Sequence, residues 1–301
     1  MRVIVVGLGV QGYKRRTVAG GDVAAAVDPV NPEAQYKDLA QVPPGSFDAA
    51  LVCTPDEVKI DLLTRLIESG KHVLVEKPLF AAHSEELARL GRAAAARGVT
   101  CYTAYNHRFE PHFVRMKALL DSGRLGRVYS LRMFYGNGTA RLVRDSAWRD
   151  RGAGVLPDLG SHLLDTILYW FGKPAEPFRL LAAKRFENRA PDHVTFGTIG
   201  TPMFNLEVTL LSWRNHFYAD LFAEGGSAHI QSLCKWGPAT FTVRDRKLPS
   251  GRPDEESITL VEPDPTWDLE YQHFKSLCAK GESNIDNDIW INEVLAELST
   301  C

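Results

Sequence analysis

Several features are scarce in this sequence, and each absence removes a class of protein. No apolar run is long enough to span a bilayer. The opening stretch Met1-Arg2-Val3-Ile4-Val5-Val6-Gly7 has one charge and a short apolar run that meets a glycine at once. That run is too short for the core of a signal peptide, so a buried strand is expected there. Charge of one sign is not in excess. A formal net charge of -2 offers no field for nucleic acid or an anionic membrane surface, and neither is expected as a partner. The five cysteines (Cys53, Cys101, Cys234, Cys278 and Cys301) are odd in number and scattered, with no C-x-x-C pair. Neither a disulfide framework nor a zinc site is expected from that pattern, and reduced thiols in a cytoplasmic protein are expected. No His/Cys/Asp group has metal-ligand spacing, so no metal is expected. Internal repeats and low-complexity linkers are absent too.

The composition is that of an ordinary globular protein, 45% hydrophobic and 24% charged. At 301 residues, two domains are the better expectation. The first third alternates short apolar runs with helical patterns. Arg2–Val6, Val23–Val27, Asp48–Cys53, His72–Val75 and Val99–Ala104 read as strands buried on both faces. Between them, Val10–Ala19, Asp56–Ser69 and Ser84–Arg97 have helical spacing, with Gly70 and Gly98 as stops. This alternation predicts a doubly wound parallel sheet of the Rossmann type. Beyond residue 105 the pattern changes. Helices are expected at Pro111–Ser122 and Asp158–Trp170. Strand-like runs follow at Phe178–Phe186, His193–Ile199, Phe204–Ser212, Phe217–Ala223 and Thr240–Val243, after an earlier one at Val128–Tyr135. Strands without intervening helices predict an α+β domain built on a large, mostly antiparallel open sheet. The boundaries expected are 1–105 and 106–301, with helices at Trp267–Ala279 and Ile285–Leu298, the last of which can pack back on the first domain.

The first chemical signal is Gly7-Leu8-Gly9-Val10-Gln11-Gly12, which follows a strand and opens a helix. Gly7 permits a tight turn, Gly9 lets backbone approach a pyrophosphate, and Gly12 lets helix and strand pack closely. The helix N-terminus then offers N–H groups and partial positive charge to the phosphates. Asp28 ends the second strand, 21 positions after Gly7, where a carboxylate accepts from ribose hydroxyls. That carboxylate repels a 2′-phosphate, and no arginine follows it directly, so NAD is expected ahead of NADP. Read alone, Asp28 is equally a turn residue before Pro29. Methyltransferases that bind S-adenosylmethionine share a glycine-rich first turn and stand as an alternative on this motif.

The second signal is Glu76-Lys77-Pro78, where a strand runs directly into a lysine held before proline. In a doubly wound sheet ligands bind beyond the carboxyl ends of strands, so Lys77 points at the cofactor crevice or is an ordinary lysine before a turn. Taken with Cys53-Thr54-Pro55, the glycine turn and Asp28, this order and spacing resemble the glucose–fructose oxidoreductase / inositol dehydrogenase / MocA (Gfo/Idh/MocA) family. Asn106-His107-Arg108-Phe109 is similar to the segment that opens that family's second domain. Gly152–His162 resembles its G-G-x-x-x-D-x-G-x-H stretch, with Asp158 and His162 in the D and H positions. The likeness is strongest from residue 1 to about 170 and thin beyond 240, where Asn284–Leu298 only loosely matches the family's acidic C-terminal segment.

The resemblance implies that Lys77, Asp158 and His162 meet beside the nicotinamide as catalytic residues. It implies a polyol, sugar or cyclitol substrate, no metal, and a homodimer or homotetramer formed through the second-domain sheet. By themselves, Asp158 and His162 are four apart and share a helical face, or they are a helix cap and a core histidine. The mechanism implied has His162 as general base on a substrate hydroxyl, Lys77 stabilising the oxygen, and Asp158 holding His162 or another hydroxyl. The cofactor-binding set is Gly7, Gly9, Val10, Gln11, Gly12, Asp28, Cys53, Thr54, Pro55, Glu76 and Lys77. The substrate-binding set is Tyr13, Asn106, Arg108, Trp148, Arg149, Asp158 and His162. Arginines cluster between Arg141 and Arg151, which fits either an anionic substrate such as a nucleotide-linked sugar or a solvated loop offset by Asp145 and Asp150. Two further functions are kept open: a non-catalytic dinucleotide-binding sensor of the same fold, and a reductase of a non-sugar carbonyl or imine.

Overall fold

In the computed structural model, which describes residues 1–146 and 149–299, the strands of the first third are short and largely buried on both faces. These are β1 (Val3–Val6), β2 (Val23–Val27), β3 (Ala49–Val52), β4 (His72–Glu76) and β5 (Cys101–Ala104). They form one parallel sheet in the order β2-β1-β3-β4-β5. Successive side chains alternate between two cores. Ile4, Val6, Ala50, Val52, Val73 and Val75 pack with Leu63, Leu66, Leu87 and Leu90 of α2 (Lys59–Glu68) and α3 (Ser84–Arg97). Val3, Val5, Leu51, Leu74 and Tyr102 face the other way, toward Ala19 of α1 (Val10–Ala19) and Tyr271, Phe274 and Leu277 of α7 (Thr266–Lys280). Burying a Val, Leu or Ile stabilises by roughly 1.5–3 kcal/mol, so a run of fully buried residues in each strand offsets much of its ordering entropy. The strand order reverses at β1, which makes the carboxyl ends of β1 and β3 the switch point where such sheets bind ligands.

The chain divides into two compact units, one of 1–106 with Thr266–Glu293 and the other of 107–265 with Val294 onward. Placing the boundary near 105 and carrying the second domain to the end therefore differs from this division after Pro265. The reason lies in α7 (Thr266–Lys280). It brings Glu270 to Arg15 of α1 (Nη2 to Oε2 2.7 Å), and Tyr271 donates to Asp22 at 2.9 Å. The Arg15 ring of contacts includes Trp267, whose indole lies 4.3 Å from the guanidinium carbon. Just beyond, Ser283 and Asn284 accept from the backbone N–H groups of Cys101 and Thr103, which closes the exposed edge of β5.

The second unit holds an eight-stranded sheet in the order β13-β12-β11-β10-β6-β9-β8-β7. Its strands are β6 (Val128–Gly136), β7 (Arg179–Lys184), β8 (His193–Gly197), β9 (Met203–Thr209), β10 (His216–Ala223), β11 (Gly226–Gln231), β12 (Ala239–Asp245) and β13 (Asp254–Leu260). Every pairing is antiparallel except β6 with β9. Leu131, Met133, Leu206, Val208, Phe217, Ala219 and Leu221 are buried on one face, while Arg132 and Phe222 on the other remain exposed. Helices α4 (Pro111–Asp121) and α6 (Ser161–Phe171) join this buried layer, with Phe113 5.1 Å from Trp170 and 5.2 Å from Phe217. A short α5 (Ala140–Arg144) precedes α6, and α8 (Ile285–Ser299) ends the described chain. Strands β11 and β13 carry no clear apolar alternation in sequence. β13 is a charged edge, anchored by Arg244–Glu255 and Arg124–Glu256 ion pairs at 2.6 and 3.0 Å. Among the described residues, no helix is long and apolar enough to cross a membrane.

Glu270→Ala is expected to strand one side of the buried Arg15 charge. Unfolding in urea should show a loss of about 3 kcal/mol, at the low end for a broken buried pair because Glu76 remains. A loss below about 1 kcal/mol would contradict the arrangement.

Candidate active site

The glycine turn lies at the switch point of the first unit. Gly7 has φ +91°, a left-handed conformation that side chains disfavour. A Cβ on Gly7 would stand 2.6 Å from the Cys53 carbonyl oxygen, and one on Gly12 would stand 1.9 Å from that of Gly7. Those two glycines are required by backbone packing. Gly9 is different: a Cβ there meets nothing within 4 Å. The open space lies at the start of α1, where no side chain caps the helix and no acidic residue occupies the first turn. Val10 and Gln11 are exposed there, and first-turn N–H groups have no intrahelical acceptor. A pyrophosphate fits this cradle.

Asp28 closes the turn from the end of β2. Its Oδ2 accepts from the Leu8 N–H at 2.7 Å, and its Oδ1 accepts from Val30 and Asn31 at 2.9 and 2.8 Å. Burial opposes its ionisation, but the Asn31, Leu8 and Val30 N–H groups outweigh that and hold the carboxyl below its usual range. Asn31 donates to the Leu8 carbonyl and to the Tyr13 hydroxyl, each at 3.0 Å, so Tyr13 belongs to the glycine-turn network. From β3, the Cys53 N–H donates to Val6 O at 2.7 Å, and burial pushes the Cys53 thiol well above its normal pKa. Cys53 is therefore a neutral thiol that packs. Thr54 presents a buried hydroxyl oxygen with no hydrogen-bond partner among the described residues, a second feature that suits a bound dinucleotide.

The Glu76-Lys77-Pro78 turn at the end of β4 is held from both sides by buried cations. Lys59, 2% exposed, donates to the Glu76 and Pro78 carbonyls at 2.7 and 2.9 Å and pairs with Asp56 at 2.7 Å. Arg15, 1% exposed, donates through Nε to Glu76 Oε1 at 2.7 Å. Burial disfavours the Arg15 charge, and Glu270 and Glu76 more than compensate. The Glu76 carboxylate is thus turned to Arg15. Lys77 itself is half-buried between two fixed carbonyls, at the carboxyl end of the sheet where the glycine turn also lies.

In the second unit Asp158 and His162 do not lie in one regular α-helix. Leu156–Gly160 is a π-helical turn with Pro157 inside it, and α6 starts only at Ser161. Such turns are frequent at functional sites. Asp158 is partly exposed, with Arg149 Nη2 3.6 Å from its Oδ2. His162 is 5% exposed, and its ring stacks on His107 with centroids 4.0 Å apart. The Lys235 ammonium, which can only donate, lies 3.3 Å from His107 Nε2 and makes that nitrogen an acceptor. Tyr135 lies 5.4 Å from His107 and 5.8 Å from His162.

Two expected substrate residues are committed elsewhere. Asn106 is buried and donates to Thr266 Oγ1 at 2.8 Å. Arg108 grips Asp165 through Nε at 2.9 Å and Nη2 at 2.6 Å, a bidentate pair that neutralises it. Trp148 lies outside the described residues. His107, between Asn106 and Arg108, is the member of that motif that reaches His162, and only its place in the motif could have pointed to it. Sequence spacing also gave no hint of a cluster of Glu110, Cys234 and Asp264, whose ligand atoms lie within 4.8 Å of one another.

Comparison with known proteins agrees with this architecture. The profile of an oxidoreductase family with an NAD-binding Rossmann fold matches residues 1–105, and that of the GFO/IDH/MocA C-terminal domain matches residues 113–228. The chain belongs to the Gfo/Idh/MocA family of NAD-binding oxidoreductases. It is 30% identical over 151 residues to scyllo-inositol 2-dehydrogenase (NADP(+)) IolW of Bacillus subtilis strain 168, a match covering 49% of this chain and 41% of that protein. With the inositol 2-dehydrogenase of Rhizobium meliloti strain 1021 the identity is 27% over 136 residues, covering 45% and 39%. Each match thus spans less than half the relative's length. A solved structure of levoglucosan dehydrogenase in complex with NADH has a TM-score of 0.84 at 16% identity, over 99% of this chain and 95% of that one. GenD2 from gentamicin A biosynthesis, in complex with NAD, has a TM-score of 0.79 at 20% identity, over 99% and 93%. At such identities the likeness is one of fold.

Gly9 and Gly12 should respond oppositely to alanine. Gly9→Ala is expected to keep the thermal midpoint and weaken NADH binding about tenfold, or 1.4 kcal/mol, in a fluorescence titration. Gly12→Ala is expected to lose at least about 1–3 kcal/mol of stability from overpacking. Unchanged NADH affinity in Gly9→Ala would contradict the cradle.

Proposed function

We propose that the chain is an NAD-dependent dehydrogenase acting on a secondary hydroxyl of a sugar, cyclitol or nucleotide-linked sugar, with reduction of the matching ketone as the reverse reaction. The observation that carries this reading is Lys77, whose flanking residues are held by two buried cations at the carboxyl end of the sheet that also bears the glycine turn. When bound, the nicotinamide supplies the hydride acceptor. Lys77 donates to the substrate oxygen and stabilises the negative charge that develops as the C–H bond breaks. His162 takes the hydroxyl proton. Asp158, beside Arg149, holds a second substrate hydroxyl in position. Asp28 disfavours a 2′-phosphate, which favours NAD, whereas the relative IolW is named for NADP(+).

The bidentate Arg108–Asp165 pair removes one cation from the anionic-substrate reading, which leaves a neutral polyol favoured over a phosphorylated one. Free thiols suit a reducing compartment, and the cytoplasm is the proposed location. The exposed face of the eight-stranded sheet, with Phe134 stacked on Tyr218 at 5.5 Å, is the proposed surface for pairing with a second copy.

A panel of free, phosphorylated and nucleotide-linked sugars and cyclitols, followed by the absorbance of reduced nicotinamide with each cofactor, tests the reading. Lys77→Ala is expected to lower turnover about 10²–10³-fold and leave NADH affinity within a few-fold. Undiminished turnover in that variant would overturn the assignment. NADH binding without turnover on any of these compounds would instead favour a dinucleotide sensor.

A further inference from the structure

The second unit brings three ligand-bearing side chains together from separate parts of the chain. Glu110 precedes the first turn of α4, Cys234 opens the short helical turn after β11, and Asp264 lies in the segment before α7. Their ligand atoms lie within 4.8 Å of one another, and Cys234 Sγ is 3.9 Å from Asp264 Oδ1. Glu110 is 2% exposed and Cys234 4%. Glu110 Oε2 accepts from the Cys234 N–H at 3.1 Å. Its other oxygen, Oε1, is shut off from solvent and accepts from nothing among the described residues. Leaving a carboxylate oxygen buried and unsatisfied is costly, and native proteins seldom do so without a ligand.

We propose that Glu110, Cys234 and Asp264 bind a divalent transition-metal ion, zinc by preference, as a structural brace of the second unit. The donor set selects the ion. A thiolate excludes magnesium and calcium, which require oxygen ligands, and two carboxylates disfavour copper(I). Zinc accepts sulfur and carboxylate oxygen together at about 2.3 and 2.0–2.2 Å, and three protein ligands leave a position for water. Tetrahedral ligands at those radii stand about 3.5 Å apart, so the cluster closes by roughly 1 Å on binding. The charges also balance. Three ionised ligands are matched by a divalent ion and by Lys235, next to Cys234 in the chain, whose charge acts on Glu110. The brace would tie the start of α4 to the turn that carries Lys235. His107, whose carbonyl accepts the Glu110 N–H at 3.0 Å, would be fixed by the same tie.

The test uses the full chain, stripped of metal and titrated with Co²⁺ as a spectroscopic probe and with Zn²⁺ as competitor. The expected result is a thiolate-to-cobalt charge-transfer band in the near ultraviolet that saturates at a single equivalent, is displaced by Zn²⁺, and is lost in Cys234→Ser. Glu110→Gln, nearly isosteric, should weaken Co²⁺ binding by at least about tenfold. Absence of the band in the wild-type chain, or its persistence in Cys234→Ser, overturns the site. Should Cys234→Ser fail to fold, alkylation mapping of the wild-type chain decides: Zn²⁺ must slow modification of Cys234 and leave Cys278 unaffected, and equal slowing or none overturns the site. Neither readout depends on nicotinamide or substrate.

Discussion

Two buried cations converge on a single turn, and much of the first unit is organised around keeping them there. Lys59 bridges the carbonyls of Glu76 and Pro78, and Arg15 grips the Glu76 carboxylate. Neither cation is solvated, so each must be paired or destabilise the fold. Asp56 and the two carbonyls pair with Lys59, while Glu76 and Glu270 pair with Arg15 through Nε and Nη2. The residue left between these fixed points is Lys77. A lysine that is to meet a substrate oxygen gains from a backbone that does not move, because orientation is then set before the substrate arrives.

The same constraint reaches well beyond the turn. Arg15 sits on α1 one turn after the glycine motif, so the helix that presents N–H groups to a pyrophosphate also carries the guanidinium that anchors the lysine turn. Its second partner, Glu270, explains why a helix nearly the whole chain length away belongs with the first unit. Asp28 repeats the theme at the other end of the glycine turn, where three backbone N–H groups fix one carboxylate. In the second unit the histidine expected to move a proton rests on His107, whose acceptor nitrogen is set by Lys235.

The parallel sheet was legible in the sequence because β-branched runs buried on both faces leave a plain signature, as in Val3–Val6 and Ala49–Val52. Gly7 and Gly12 were legible because no other residue fits where their missing side chains would be. Other roles depend on partners distant in sequence, and no local pattern discloses those. Glu76 lies inside a recognisable motif, yet its carboxylate serves Arg15, 61 positions away. Arg108 reads as an anion ligand until Asp165 is placed against it. Lys59 shares the buried face of its helix with Leu63 and Leu66, yet only the distant Glu76 and Pro78 carbonyls explain why a charge can sit there. β13 leaves no signature in the sequence because it is a charged edge strand with cross-strand ion pairs and no buried apolar face.

Amide hydrogen exchange across residues 72–80, compared between the wild-type chain, Lys59→Met and Lys59→Arg, tests the clamp most directly. The account predicts that Met speeds exchange of the Glu76–Pro78 turn well beyond any change in β1 or β3, and that Arg restores much of the protection. Equal exchange of the turn in all three proteins would contradict the claim that Lys59 fixes Lys77.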